Sequence, residues 1–157
     1  MSVRFEGLEE ARMALQNADK VVQKEGKRFL DELGVYAAGR AKAYTMDAGA
    51  VDLGELVQGI HHETKSTRNG IETIIRPSDK ADAYATYVEH GTAPHREPVR
   101  ALQGWADRHG IPVWAVVMKI AREGTEPRYM WRDTFSDLMD KADRETRSFA
   151  EKLVRKI

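Results

Sequence analysis

At 157 residues, with 25 Lys and Arg balanced by 25 Asp and Glu, the chain has the length of one domain and no net charge. That balance argues against a protein whose main task is to coat a phosphate backbone. The absence of cysteine excludes disulfides, thiolate zinc sites and cysteine nucleophiles; Met1–Glu6 has no leader-like apolar run and Ile111–Met118 is too short to span a bilayer, so a soluble protein made in the cytoplasm is expected.

Leu8, Ala11, Leu15, Ala18, Val22, Phe29, Leu33 and Tyr36 recur at spacings of three, four or seven, which predicts a long helix over 8–43. Gly26 and Gly34 mark where it could bend or break. Unbroken, it would run ~54 Å at 1.5 Å per residue, more than a domain of this size needs. A helix that overshoots its own core needs something else to lie against. Thr45–Gly54 reads as a loop. Asp52 stands three residues before Glu55, as in a capping box over a short turn at Leu53–Leu56.

Gly59–Lys65 and Ile71–Arg76 flank Ser66–Gly70, whose Asn69-Gly70 pair signals a β-hairpin. Ile71, Thr73 and Ile75 share one face and Ile74 takes the other, so both faces are expected to be partly covered. Tyr84–Glu89 fits either state: its aromatics and Val88 favour a strand, and its alanines permit a helical turn.

Two steps of similar composition follow. Tyr87-Val88-Glu89-His90-Gly91-Thr92-Ala93-Pro94-His95 is partly echoed by Glu123-Gly124-Thr125-Glu126-Pro127-Arg128. Each holds an acid, then Gly-Thr-x-Pro, then His or Arg. Gly can take φ > 0, Pro fixes φ near −65°, and the residue before Pro is pushed away from helix, so each step redirects the chain. Between them lies a Trp-containing insert over about 94–127. Pro98 suits the first position of a helix carrying Val99, Leu102, Trp105 and Ala106, closed by Gly110. Pro112 opens a second short helix with Trp114, Val117, Met118 and Ile120, ended by Gly124. Trp131, Phe135, Leu138, Ala142, Phe149 and Leu153 then mark the stripe of a long C-terminal helix.

Residue types for chemistry are present, but their spacing is not that of a site. His61 and His62 are adjacent, so on a strand they point to opposite faces. Glu89, His90 and His95 are close enough to converge around Gly91, as a small His- or metal-dependent enzyme would require. Zinc needs three or four ligands with supporting hydrogen bonds, and no metal-ligand spacing appears. Glu89, His90 and Thr92 supply the types of a hydrolytic triad, whose members normally come from separated segments. The preferred reading is therefore structural: Thr92 braces the turn and Glu89 accepts backbone N–H bonds. No catalytic group, metal ligand or cofactor is assigned. Trp105, Trp114 and Trp131 are read as core or interface anchors. Arg122, Arg128 and Arg132 are expected to be neutralised by Glu123, Glu126 and Asp133 in a salt-bridge network.

In order, these motifs resemble the gene-product-ten-like tail-component family of long-tailed phages. Val51-Asp52-Leu53-Gly54-Glu55-Leu56-Val57-Gln58-Gly59-Ile60 resembles the family's D-T-G-x-L-x-x-S-I segment. Tyr87–Thr92 matches Y-V-E-x-G-T, and Gly124-Thr125-Glu126-Pro127-Arg128-Tyr129-Met130-Trp131-Arg132 resembles G-T-x-P-R-P-F-M-R. Leu53, Gly59 and Tyr129 depart from it, standing where Thr, Ser and Pro are usual. The resemblance implies a virion protein of the neck or tail that joins head and tail or completes the tail. It implies a homo-oligomeric ring, commonly a hexamer, that contacts connector or stopper and tail-tube or terminator proteins. DNA would pass through its lumen without sequence recognition, and no membrane is involved. An assembly module that never enters the virion is the other non-enzymatic alternative. The expected fold is α+β over 1–157: long N- and C-terminal helices packed on a small antiparallel β-sheet, with a helical insert. Tyr87, Glu89, His90, Gly91, Thr92, Pro94, Gly124, Thr125, Pro127, Arg128 and Trp131 are the expected interface and structural residues.

Overall fold

The computed structural model describes residues 8–49 and 52–157; Met1–Glu6, Val51 and the side chains of Leu8 and Ala11, all used above, lie outside the described residues. Helix α1 (Leu8–Asp47) is one element of 40 residues, about 60 Å long at 1.5 Å per residue. It runs through both glycines and past Thr45. At Gly34 the reason is a close approach: a Cβ there would stand 2.7 Å from the His62 ring and 2.8 Å from the Thr73 hydroxyl. The helix gives up about 1 kcal/mol of propensity so that the sheet can lie against it.

The short helix α2 (Glu55–Gly59) follows, and its cap differs from the expected box. Gly54 holds the cap position in a left-handed conformation and no side chain bonds to it. Asp52 and Glu55 are instead drawn off by Arg108 and Lys80, whose charges outcompete a local backbone donor. Strands β1 (His61–Thr67) and β2 (Gly70–Arg76) pair antiparallel from His61↔Arg76 to Thr67↔Gly70. The turn residues are Arg68 and Asn69, one position earlier than the Asn-Gly signal suggested. The Thr67 hydroxyl stabilises that turn by bonding to Asn69 N–H and Gly70 O. Ile71, Thr73 and Ile75 lie on the half-buried face and Ile74 is exposed. One face of this two-stranded sheet is thus covered, by α1, and the other is open.

Helix α3 (Asp79–His90) settles Tyr84–Glu89 as helical, because Ala81, Ala85 and Glu89 form one buried face at four-residue spacing. Helices α4 (Val99–His109) and α5 (Val113–Glu123) are the insert and pack on each other. Pro98 is the residue before α4 rather than its first, and Gly110 closes α4 left-handed as expected. Helix α6 (Met130–Val154) runs along α1. The architecture is α+β, with long terminal helices, a small antiparallel sheet and a helical insert.

Two buried clusters make the core: Leu56, Ala81, Ala85 and Met130, and Ala38, Ala41 and Ile60. Trp131 packs against both and joins them. Small residues on α1 and α3 let backbones approach, and the larger buried side chains of the clusters are Leu56 of α2, Ile60 between α2 and β1, and Met130 of α6. The predicted stripes are only partly buried. Leu15, Val22 and Phe135 are exposed: among the described residues none covers these positions of α1 or the outer side of α6. Among the described residues no helix is long and apolar enough to cross a membrane.

Candidate functional site: a clasp of two Gly-Thr steps

The two Gly-Thr steps are halves of one structure. Thr92 and Thr125 form an isolated antiparallel bridge, each N–H donating to the other's carbonyl at 3.1 Å. Their hydroxyls lie 3.1 Å apart, and Thr125 N–H also reaches Thr92 Oγ1 at 3.1 Å. Gly91 (φ 68°) and Gly124 (φ 75°) lead into the bridge from α3 and α5. A Cβ on Gly91 would stand 2.2 Å from Thr125 O, and one on Gly124 would stand 1.9 Å from Thr92 O. Both positions therefore require glycine twice over, for the left-handed φ and for the contact. The prolines that follow cannot donate to further pairing, so the bridge stays one residue pair wide.

The clasp continues into the start of α6. Glu89 is only 6% exposed, yet both its oxygens are satisfied. Oε2 accepts Trp131 N–H at 2.8 Å and Oε1 accepts Arg132 N–H at 3.0 Å. An anion on the first free N–H groups of a helix is stabilised by hydrogen bonds and by the helix dipole together. In the other direction, Arg128 N–H and Tyr129 N–H donate to the last carbonyls of α3, on Val88 and Glu89. Each helix end thus satisfies the other's unpaired backbone groups. Tyr129, the one non-glycine with positive φ among the described residues, turns the chain into α6 with Arg132 stacked 4.0 Å over its ring. This unit brings together Glu89, Gly91, Thr92, Gly124, Thr125, Pro127, Arg128 and Trp131.

Other expected site residues stand apart. Tyr87 is exposed, and with Pro94 and Arg128 it lines an open cleft of about 810 Å³ between α3 and the insert. His90 is exposed on the far side of α3, beside Trp131 and Phe135. The expected salt-bridge network does not form. Among the described residues, Arg122 and Arg132 each pair only with the next residue, Glu123 and Asp133, at 3.1 and 2.8 Å, and Arg128 has no carboxylate partner. Arg128 lines the cleft together with Glu126 without pairing to it.

Glu89 is engaged by backbone amides, and His95 spans the Ala93 carbonyl and the Glu97 carboxylate at 2.8 and 2.9 Å. Among the described residues no three His, Asp or Glu side chains form a metal-holding group. His61 bonds Gly59 O and His62 faces Asp31, as adjacent strand residues must. The Ala93 carbonyl, and then Glu97, favours protonated His95 and raises its pKa above the usual imidazole value.

A second attachment of the insert escaped the sequence reading. Asp52 accepts two bonds from the Arg108 guanidinium, one of them 2.8 Å long, and His109 lies 3.7 Å away. Arg108 first and His109 also hold the Asp52 carboxyl below its usual range. Nothing local signals a pair separated by 56 residues. The same holds for Asp137, bonded by Arg40 at 2.6 Å and by the Tyr44 hydroxyl at 2.9 Å, which fixes α6 on α1. No family model matches this chain, and no curated protein or solved structure shows significant similarity to it.

Proposed function

We propose that the protein is a structural subunit of a long-tailed phage virion, a ring-forming head–tail joining or tail-completion component. The observation that carries this reading is the clasp. Two motifs picked out by the phage resemblance, 33 residues apart, form one unit that orients both the insert and α6. A subunit of a ring needs projecting elements held at fixed angles for its neighbours. The long α1 with exposed Met13 and Leu15, and the insert with exposed Trp114 and Met118, suit a subunit completed by its neighbours. In this reading the ring, commonly six copies, bridges connector or stopper proteins and the tail tube or its terminator. DNA traverses the lumen by non-specific contact, which a neutral chain permits.

Mass spectrometry of purified particles from the encoding phage tests the reading: the chain is expected in stoichiometric amount in the neck or tail. Its absence from complete, infectious particles would sink the virion assignment and favour an assembly module. Metal analysis of the purified chain addresses the enzyme alternative, for which a stoichiometric ion would be the supporting result.

A further inference from the structure

The outer faces of α5 and α6 carry the same pattern with opposite charge. On α5, Trp114 and Met118 are 63% and 56% exposed, Arg122 continues their i, i+4, i+8 ridge, and exposed Lys119 lies about 100° round the helix from Met118. On α6, Phe135 and Met139 are 64% and 45% exposed, Asp143 continues their i, i+4, i+8 ridge, and exposed Asp140 lies about 100° round the helix from Met139. The spacing is identical, two apolar residues four apart and then charges five and eight positions after the first. Small residues, Ala115 and Ser136, occupy matching places between them. Within the subunit each helix is packed by its opposite side, α5 on α4 and α6 on α1.

We propose that the α5 face of one subunit docks on the α6 face of a second copy with the helices parallel. Because both helices rise 1.5 Å per residue, one alignment matches every level. Trp114, Met118 and Arg122 then stand level with Phe135, Met139 and Asp143, ridge against ridge, and Lys119 and Asp140 flank the contact on opposite sides. The antiparallel alignment puts Arg122 against Phe135 and Asp143 against Trp114, so charge selects the direction. Arg132, the residue before this stripe on α6, is folded back on Tyr129 and bonded to Asp133, so it adds no opposing cation. Arg122 leans on exposed Glu123, a surface pair that competes weakly. Lys119, Asp140 and Asp143 have no ionic partners among the described residues.

The contact joins two different patches, so it is heterologous and propagates from copy to copy until it closes. The proposal rests on the ring-subunit reading and names the surface that builds the ring. The clasp has a direct part in it, because it sets the angle between the helix that offers the cations and the helix that offers the acids.

The cysteine-free chain allows a clean test. Full-length protein carrying Met118→Cys is mixed with full-length protein carrying Met139→Cys and treated with a short bis-maleimide. A covalent heterodimer is expected at the 118–139 pair and not between two copies of either variant. The double variant carrying both cysteines should give a ladder ending at the ring number. In parallel, Lys119→Glu/Arg122→Glu and Asp140→Lys/Asp143→Lys should each weaken self-association by at least about tenfold, and mixing the two should restore it. Rings that form with unchanged affinity in both charge variants, or cross-linking at 118–118 instead, would overturn this interface and leave the ring reading intact. Efficient 118–139 cross-linking that stops at a dimer would support the interface and overturn the ring. Absence of cross-linking and of self-association would overturn both.

Discussion

The clasp and the far end of the α1–α6 pair hold the chain together by different means. At the clasp, Gly91, Thr92, Gly124 and Thr125 meet backbone to backbone, and Glu89 is buried with both oxygens engaged. At the far end, Phe29 stacks on Phe149 with ring centroids 4.3 Å apart, and Lys156 reaches Glu25 at 2.8 Å. Leu15, Val22 and Val154 remain exposed around them. The clasp depends on positions that admit one residue type. The far end depends on a half-buried aromatic stack and a partly exposed ion pair, contacts that tolerate exchange of residue type better than the clasp does. Geometry is therefore invested where three elements change direction, and the long helices are left with exposed apolar side chains.

The largest effect should come from closing the space the clasp needs. Gly91→Ala and Gly124→Ala each force a Cβ into a carbonyl oxygen at a left-handed φ, and should cost at least about 3 kcal/mol in chemical denaturation. Leu15→Ser at the other end should change the monomer's stability by no more than about 0.5 kcal/mol. Equal losses at the two ends would break the comparison.

Next in size is the buried carboxylate. Glu89→Ala leaves two helix N–H groups without their acceptor and should cost about 2–4 kcal/mol, with Glu89→Gln losing less. Protection of the Trp131 and Arg132 amides from hydrogen exchange is the local readout. Unchanged protection in Glu89→Ala would remove the capping role.

Acid should act on the links outside the clasp. The Tyr44 hydroxyl, and then Arg40, hold Asp137 below its ordinary value, and Arg108 does the same for Asp52. Each contribution is full above the unfolded aspartate pKa of about 3.9 and is lost as pH falls through the lower folded value. Urea midpoints should fall on acidification below about pH 4, with a shallower fall in Asp137→Asn. The smallest effect runs the opposite way. His95 has a raised pKa, so its contribution is full below about pH 6.5 and is lost as pH rises through the folded value. The His95 ring resonance should titrate above the usual imidazole value in the intact chain, and that upward shift should shrink in Glu97→Gln. A shift of the same size in both would remove Glu97 as a cause.

Local patterns made much of this legible. The apolar periodicity of α1 and α6, the glycine after α4, the proline before α5 and the Gly-Thr steps all signal through neighbours a few residues apart. Tyr84–Glu89 stayed open because alanines and aromatics suit both states, and the packing of Ala81, Ala85 and Glu89 decided it. Asp52 was misassigned as a cap because its partner, Arg108, lies on a different helix. Phe135 was placed in the buried stripe because spacing alone does not say which side of a helix finds a cover.

By itself, the sequence determined the long terminal helices, the hairpin, the two helices of the insert, and the need for glycine and proline at the chain reversals. Those properties follow from steric limits on φ and from residue spacing, which act within a few positions. Tertiary structure decided that the two Gly-Thr steps are one clasp and that Glu89 caps α6. It also decided which apolar residues, Trp114, Met118, Phe135 and Met139 among them, stay in solvent. The physical reason is common to all three: a partner distant in sequence is selected by the whole packing arrangement and leaves no mark on the residues beside it.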